Sequence, residues 1–399
     1  MSKIDLSTQC ACLDEHGNTW MVPMLGIPCL LCYHPVLSGA KLEMRCVKSV
    51  QLQGSSSFDS SAYTRAYCYD GKIIGIPCTE ADIFIYDIEK EEVRYLPLHG
   101  VGNTVYYNCI FQKEKGRLIL FPCVYSRACY EVSLRDELVR TIPLDFGPMD
   151  VALKENQVQP LFSGEAVLDD CLYLAIGGTC EYLEVSLEDF SVHFKQLKVQ
   201  QRLNTSFRSG DYIYFLSEGG TVLLREDMAQ VLTLPYCVKK RMEYNQMDVA
   251  YFDATQIDSH VALLQPISGN PLLSVVDGEV EEVPSVMRGI ENPPPVTPFY
   301  WARAVQQEGR IWLYPYYAKQ GMCYEWRSQK ADSFRFVLPA GLLQAWYQSS
   351  EKGILVYEDR IPLSCFLELA ALETEKCRGE APQRIGQRIV DYILKEEHS

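Results

Sequence analysis

Prolines and tyrosines recur along this chain in fixed phase, and that repetition limits the fold more than any other feature. The copy spanning 66–97 shows the unit. An apolar run from Ala66 meets the dipeptide Asp70-Gly71, and a second run ends at Pro77. A third carries Ile85-Tyr86-Asp87, and a fourth closes at Pro97. Asp-Gly between two apolar-rich runs is a strong hairpin signal, because a type I′ turn needs positive φ at both central positions. Each copy therefore reads as four short antiparallel strands.

Turn positions ahead of the second strand fall near Gly17, Gly71, Gly116, Asp170, Gly210, Ser259, Gly309 and Gly353, a spacing of roughly 48 residues. Proline ends the second strand at Pro23, Pro77, Pro122, Pro266 and Pro315. It closes the fourth at Pro97, Pro143, Pro235, Pro284 and Pro339. Proline has no N–H to donate and belongs at strand ends and sheet edges, so its recurrence in register punctuates a sheet. Tyrosine marks the third strand at Tyr33, Tyr86, Tyr130 and Tyr324. Small four-stranded units that cannot bury both faces alone, copied in phase, predict an all-β propeller rather than a pair of sandwiches. Eight turn positions favour eight blades over seven. The last copy yields only three strands, so 3–6 is expected to supply the missing outer strand. The predicted division is a propeller over 1–370 and a helical extension over 371–399, with Ile385, Ile389, Val390, Ile393 and Leu394 at helical spacing. That helix is expected to dock on the propeller.

The repeat resembles a degenerate, bacterial-type kelch propeller. Kelch blades end the second strand in Gly-Gly, as at Gly177-Gly178 and Gly219-Gly220, and carry a Tyr-Asp pair on the third, as at Tyr86-Asp87. The sequence departs from the pattern where Pro77-Cys78 and Pro122-Cys123 replace the glycines, and the kelch Trp is missing from every copy. The resemblance implies the fold and no single activity, since such propellers serve both as interaction modules and as enzymes.

Composition excludes several classes. Fifty-two acids against 37 bases give a net charge of −15, which disfavours a nucleic-acid partner. The longest apolar stretch, 20–33, is broken by Pro23, Gly26 and Pro28 and is too short to span a bilayer. The amino-terminal residues show no signal-peptide pattern, so a cytoplasmic address is expected. Sixteen cysteines then read as reduced, buried hydrophobes. Cys10, Cys12, Cys29 and Cys32 could form a zinc set, but cysteines recur at equivalent repeat positions (Cys78 with Cys123; Cys32 with Cys129 and Cys323), which favours packing. No metal and no cofactor are predicted. Asp14 to Trp20 is similar to the Asp-box of sialidase-type propellers with one residue too many, and reads as a hairpin turn. Asp169-Asp170 and Glu281-Glu282 read as turn acids.

Propellers bind ligands at the mouth of the central channel, where the innermost strands begin. Counting back from the turns places Arg65 and Arg303 in one register, each behind aromatics: Tyr63 in one copy, Tyr300 and Trp301 in the other. Asp253 and Tyr347 fall at the corresponding position, with Glu165 one place on. Arginine beside aromatics suits a carboxylate, phosphate or sugar; the structural alternative is an ion pair plugging the channel, Arg65 or Arg303 with Asp253. No catalytic constellation is complete. The expected function is a non-enzymatic binding propeller for a protein, peptide or glycan-type ligand. One alternative is a carbohydrate-active hydrolase or lyase using Glu165 or Asp253 for acid–base work, and another is a structural subunit of an assembly.

Overall fold

The computed structural model describes residues 5–339 apart from 25–28, 39–40, 54–61, 79, 99–106, 125, 148–161, 229, 236–241, 245–246, 267–269, 285, 287–300, 308 and 317–319; beyond 339 it describes Leu342. Within these residues the strands form seven four-stranded antiparallel sheets, each ordered as in sequence. Blade 1 spans 10–51, blade 2 63–97, blade 3 107–143, blade 4 162–196, blade 5 203–233, blade 6 251–282 and blade 7 301–334. First strands neighbour first strands around the ring, so each blade's first strand lines the axis and its fourth lies outermost. A hairpin of Met242–Tyr244 and Met247–Val249 joins blades 5 and 6.

The landmarks act as their chemistry requires. Pro77, Pro122, Pro266 and Pro315 are the last residues of second strands; Pro97 and Pro143 end fourth strands. Asp70 (φ 48°) and Gly71 (φ 68°) form the left-handed pair of a type I′ turn, as do Asp169 and Asp170 in blade 4. Tyr33, Tyr86, Tyr130 and Tyr324 all sit on third strands with their rings buried. Glu281 and Glu282, expected in a turn, belong instead to the outer strand Glu279–Glu282, where an edge facing solvent takes charge readily.

Seven apolar clusters fill the wedges between neighbouring blades, and one of them corrects the expected blade number. Met21, Leu31 and Tyr33 of blade 1 pack directly against Trp312, Tyr314 and Phe334 of blade 7. No wedge is left for an eighth blade. The first seven turn positions each mark a blade, whereas Gly353 lies outside the described residues, as do the predicted helix and all of 371–399. The amino-terminal strand closes the ring, though not by completing an eighth sheet: Asp5–Leu6 pairs with Phe336–Val337 just after the outer strand of blade 7. Leu6 and Phe336 are buried at this seam. The Tyr33 hydroxyl donates to the Val337 carbonyl across it at 2.9 Å. Among the described residues no helix is long and apolar enough to cross a membrane.

Candidate functional site

An irregularity in the sheets sets the geometry of the axis. The pairing of first and second strands slips after Tyr63, after Leu203, after Tyr251 and after Trp301, and again between Ser163 and Ala166. A bulge re-aims the side chains beyond it. Arg65 pairs with Ile76, Arg303 with Tyr314 and Asp253 with Gln265, so all three occupy one position in their blades, as counting from the turns predicts. Thr205 is their counterpart in blade 5.

Arg65, Glu165 and Asp253 meet in one small cavity of about 60 Å³, walled also by Asn108, Ser163 and Thr255. Arg65 Nη2 lies 2.6 Å from Glu165 Oε1. The same oxygen accepts the Cys109 N–H at 3.2 Å. The pair thus joins blade 2 to blade 4 across blade 3. Burial is the largest influence on Arg65 and opposes its charge, but Glu165 together with Tyr67, Cys109 and Asp253 holds the guanidinium above its ordinary pKa. Burial pushes the Asp253 carboxyl up to about 6; Glu165 adds to the shift, while the Ala254 N–H, Arg65 and Thr205 pull it back. The expected structural alternative is corrected in one respect: the acid bonded to Arg65 is Glu165, and Asp253 stands by as a second acid. Turn counting assigned Asp253 because it shares Arg65's register, but the bulge advances blade 4 by one residue and carries Glu165 to the guanidinium.

The remaining predicted residues are distributed differently. Tyr63 turns away from the axis into the core between blades 1 and 2, where its ring meets Phe84 edge-on at 4.7 Å. Trp301 and Arg303 lie on the inner strand of blade 7, with only their backbone described. Tyr300 and Tyr347 fall outside the described residues. Cys10, Cys12 and Cys32 pack in the core between blades 1 and 2, whereas Cys29 faces the opposite side of the same sheet, toward blade 7. Burial pushes the Cys29 and Cys32 thiols up to about 12. Strand alternation therefore divides the supposed zinc set between two faces. Asp14 makes a closed hairpin turn: one oxygen accepts the His16 and Asn18 N–H groups, and the other accepts the indole N–H of buried Trp20 at 2.9 Å.

The sequence reading missed the far half of the channel. Beyond Glu165 a cavity of about 430 Å³ continues along the inner strands of blades 2 to 6 to the exposed Asp258–Ser259 turn. Arg208 and Gln256 line it, and Gln256 accepts the Arg208 N–H and returns a bond to the Arg208 carbonyl, both at 2.8 Å. The available signal was a basic residue on an inner strand two places before a turn glycine.

No known family profile matches the chain, and no curated protein matches it. Solved structures with a similar course include a catalytically inactive virginiamycin B lyase from Staphylococcus aureus with quinupristin (TM-score 0.49, 10% identity, covering 78% of this chain and 94% of that one). The WD40 repeats of RRP9 are similar at TM-score 0.49 and 9% identity, covering 77% of this chain and 87% of theirs. Apo AztD from Citrobacter koseri is similar at TM-score 0.42 and 11% identity, covering 83% and 89%. At this distance the likenesses carry no argument about activity. The propeller stands on its own seven sheets.

Proposed function

We propose that the protein is a non-enzymatic binding propeller of kelch-like type, acting in a bacterial cytoplasm, that takes a protein, peptide or glycan-type ligand at its central channel. The observation carrying this reading is the state of the axis. A guanidinium and two carboxylates are gathered in a space of about 60 Å³, far too small for a sugar ring, and Arg65 is already bonded to Glu165. Such a group holds three blades in place and offers charge toward the mouth, while the open volume lies beside it. Arg303 shares the Arg65 register and completes the proposed face with Trp301, Tyr300 and Tyr347. The many buried cysteines suit a reducing compartment.

Peptide and glycan arrays probed with the wild-type chain and with Arg303→Ala test this. A ligand whose binding weakens about tenfold in the variant is the expected result. Arrays without any ligand, together with turnover of a glycoside, would reverse it. The elevated Asp253 carboxyl, beside Glu165, favours a second reading as a carbohydrate-active enzyme with Asp253 as general acid. That reading requires glycoside cleavage that falls by about a hundredfold or more in Asp253→Asn.

A further inference from the structure

The larger cavity has an unmatched charge. Arg208, on the inner strand of blade 5, donates through Nε to the Gly210 carbonyl at 2.8 Å and through Nη1 to the Val167 carbonyl at 3.3 Å. Carbonyls fix a guanidinium in place without neutralising it. Among the described residues no carboxylate lies within ion-pair distance of Arg208, and its Nη2 donates to none of them. The two acids on the cavity wall have other partners. Glu165 is held by Arg65 and the Cys109 N–H, and Asp258 Oδ1 caps its own turn through the His260 and Val261 N–H groups at 2.8 and 2.9 Å.

A second observation points the same way. Gln112 lines this cavity, and its Oε1 is shut off from solvent while accepting no hydrogen bond from the described residues. A buried acceptor left unmade is costly, and a turn of the partly exposed Gln112 side chain toward the cavity would let a ligand hydrogen satisfy it. The rest of the wall includes the aromatic and aliphatic side chains of Tyr67, Ile110, Phe111 and Val167. The volume of about 430 Å³ falls within the usual range for small-molecule pockets.

We propose that this end of the channel binds a small carboxylate-bearing molecule with an apolar body, its carboxylate on Arg208 and a hydroxyl or amide hydrogen on Gln112 Oε1. The proposal deepens the binding reading above and rests on it. With Nε and Nη1 anchored on the two carbonyls, Arg208 holds its Nη2 N–H groups on a fixed plane for the carboxylate.

Calorimetric titration of the full chain with phenyllactate and with its uncharged amide, phenyllactamide, tests the proposal. Phenyllactate should bind, and the amide should bind roughly tenfold more weakly or worse, as expected for loss of one charge-assisted contact. Arg208→Gln should weaken phenyllactate by a similar factor and leave the amide unchanged. Because that variant also loses two anchoring bonds, the acid-to-amide ratio on the wild-type chain provides a reading independent of folding. Equal affinity for acid and amide, an acid affinity indifferent to Arg208→Gln, or no binding of the acid would each overturn the proposal. The array experiment with Arg303→Ala reads the broader binding function separately, so either can fail without the other.

Discussion

A Cβ placed on Gly220 would sit 1.9 Å from the Tyr251 carbonyl oxygen, and its φ of +62° already favours glycine. The neighbouring Gly219 carbonyl accepts the Ala250 N–H at 3.0 Å, so the loop after the second strand of blade 5 lies on the backbone entering the inner strand of blade 6. Gly178 also bonds to the next blade, donating its N–H to the Leu203 carbonyl at 3.0 Å, but a Cβ there would meet only Glu218 at 3.6 Å. Gly220 is thus the glycine that close approach between blades requires. Gly220→Ala should lower stability by about 2 kcal/mol or more, measured by urea denaturation. A variant as stable as the wild type would show that the contact yields freely. Asp253 supplies a pH-dependent prediction. Its folded pKa is raised, to about 6 from the ordinary 3.8 of an aspartate, so between these values the folded state holds the proton more tightly than the unfolded chain does. Stability contributed at this site is therefore lost as pH rises through that window, with Arg65, Glu165 and Thr205 as the groups facing the carboxyl. Asp253→Asn should gain in melting temperature relative to wild type between pH 4 and pH 7, and a difference that does not vary with pH would count against it. Some of this was readable beforehand. Counting residues back from Gly71 and Ser259 brought Arg65 and Asp253 to one position, because bulges recur at the same place in both blades. The bond to Glu165 was not readable, since it spans blades 2 and 4 and depends on how far the blade 4 bulge advances its strand.

Strands and hairpins were the most legible elements. Proline marks strand ends for a local reason, the missing donor, and local reasons survive into any tertiary context. Blade number was less legible, because it is decided where the ends of the chain meet. The sequence near Gly353 imitates another repeat, but the wedge between blades 7 and 1 is already filled by Tyr33, Trp312, Tyr314 and Phe334. The seam depends on few residues: the ladder of Asp5–Leu6 with Phe336–Val337, and the Phe336 ring lying 4.8 Å from Tyr33. Phe336→Ala should cost about 3–5 kcal/mol, the usual range for an emptied aromatic core site, as read from chemical denaturation. A loss well under that range would mean that the other rings at the seam collapse into the space.

At the scale of the molecule, seven interlocking wedges place many thiols where reagent does not reach. Cys10, Cys12, Cys29, Cys32, Cys78, Cys109, Cys129 and Cys323 are all buried. Under native conditions a thiol reagent should modify them at a rate set by opening of the protein, whereas Cys46, Cys68, Cys171 and Cys180 are only partly covered and should react ahead of them. Mass spectrometry of the labelled chain over time separates the two groups. Uniform fast labelling would show that blades open one by one. The same architecture explains why the channel's far end escaped the sequence reading. Arg208 has no landmark of its own, and its meaning depends on what four other blades bring beside it.

The seam also bears on synthesis. Leu6 and Phe336 lie far apart in the order of synthesis, yet each completes the other's strand. A growing chain can assemble one blade after another as they leave the ribosome, but it carries an unpaired amino-terminal strand and the bare apolar flank of blade 1 until the final blade emerges. Until blade 7 emerges, the growing ring is an open arc with two adhesive ends, and a companion that shields the first end would govern how much of it matures.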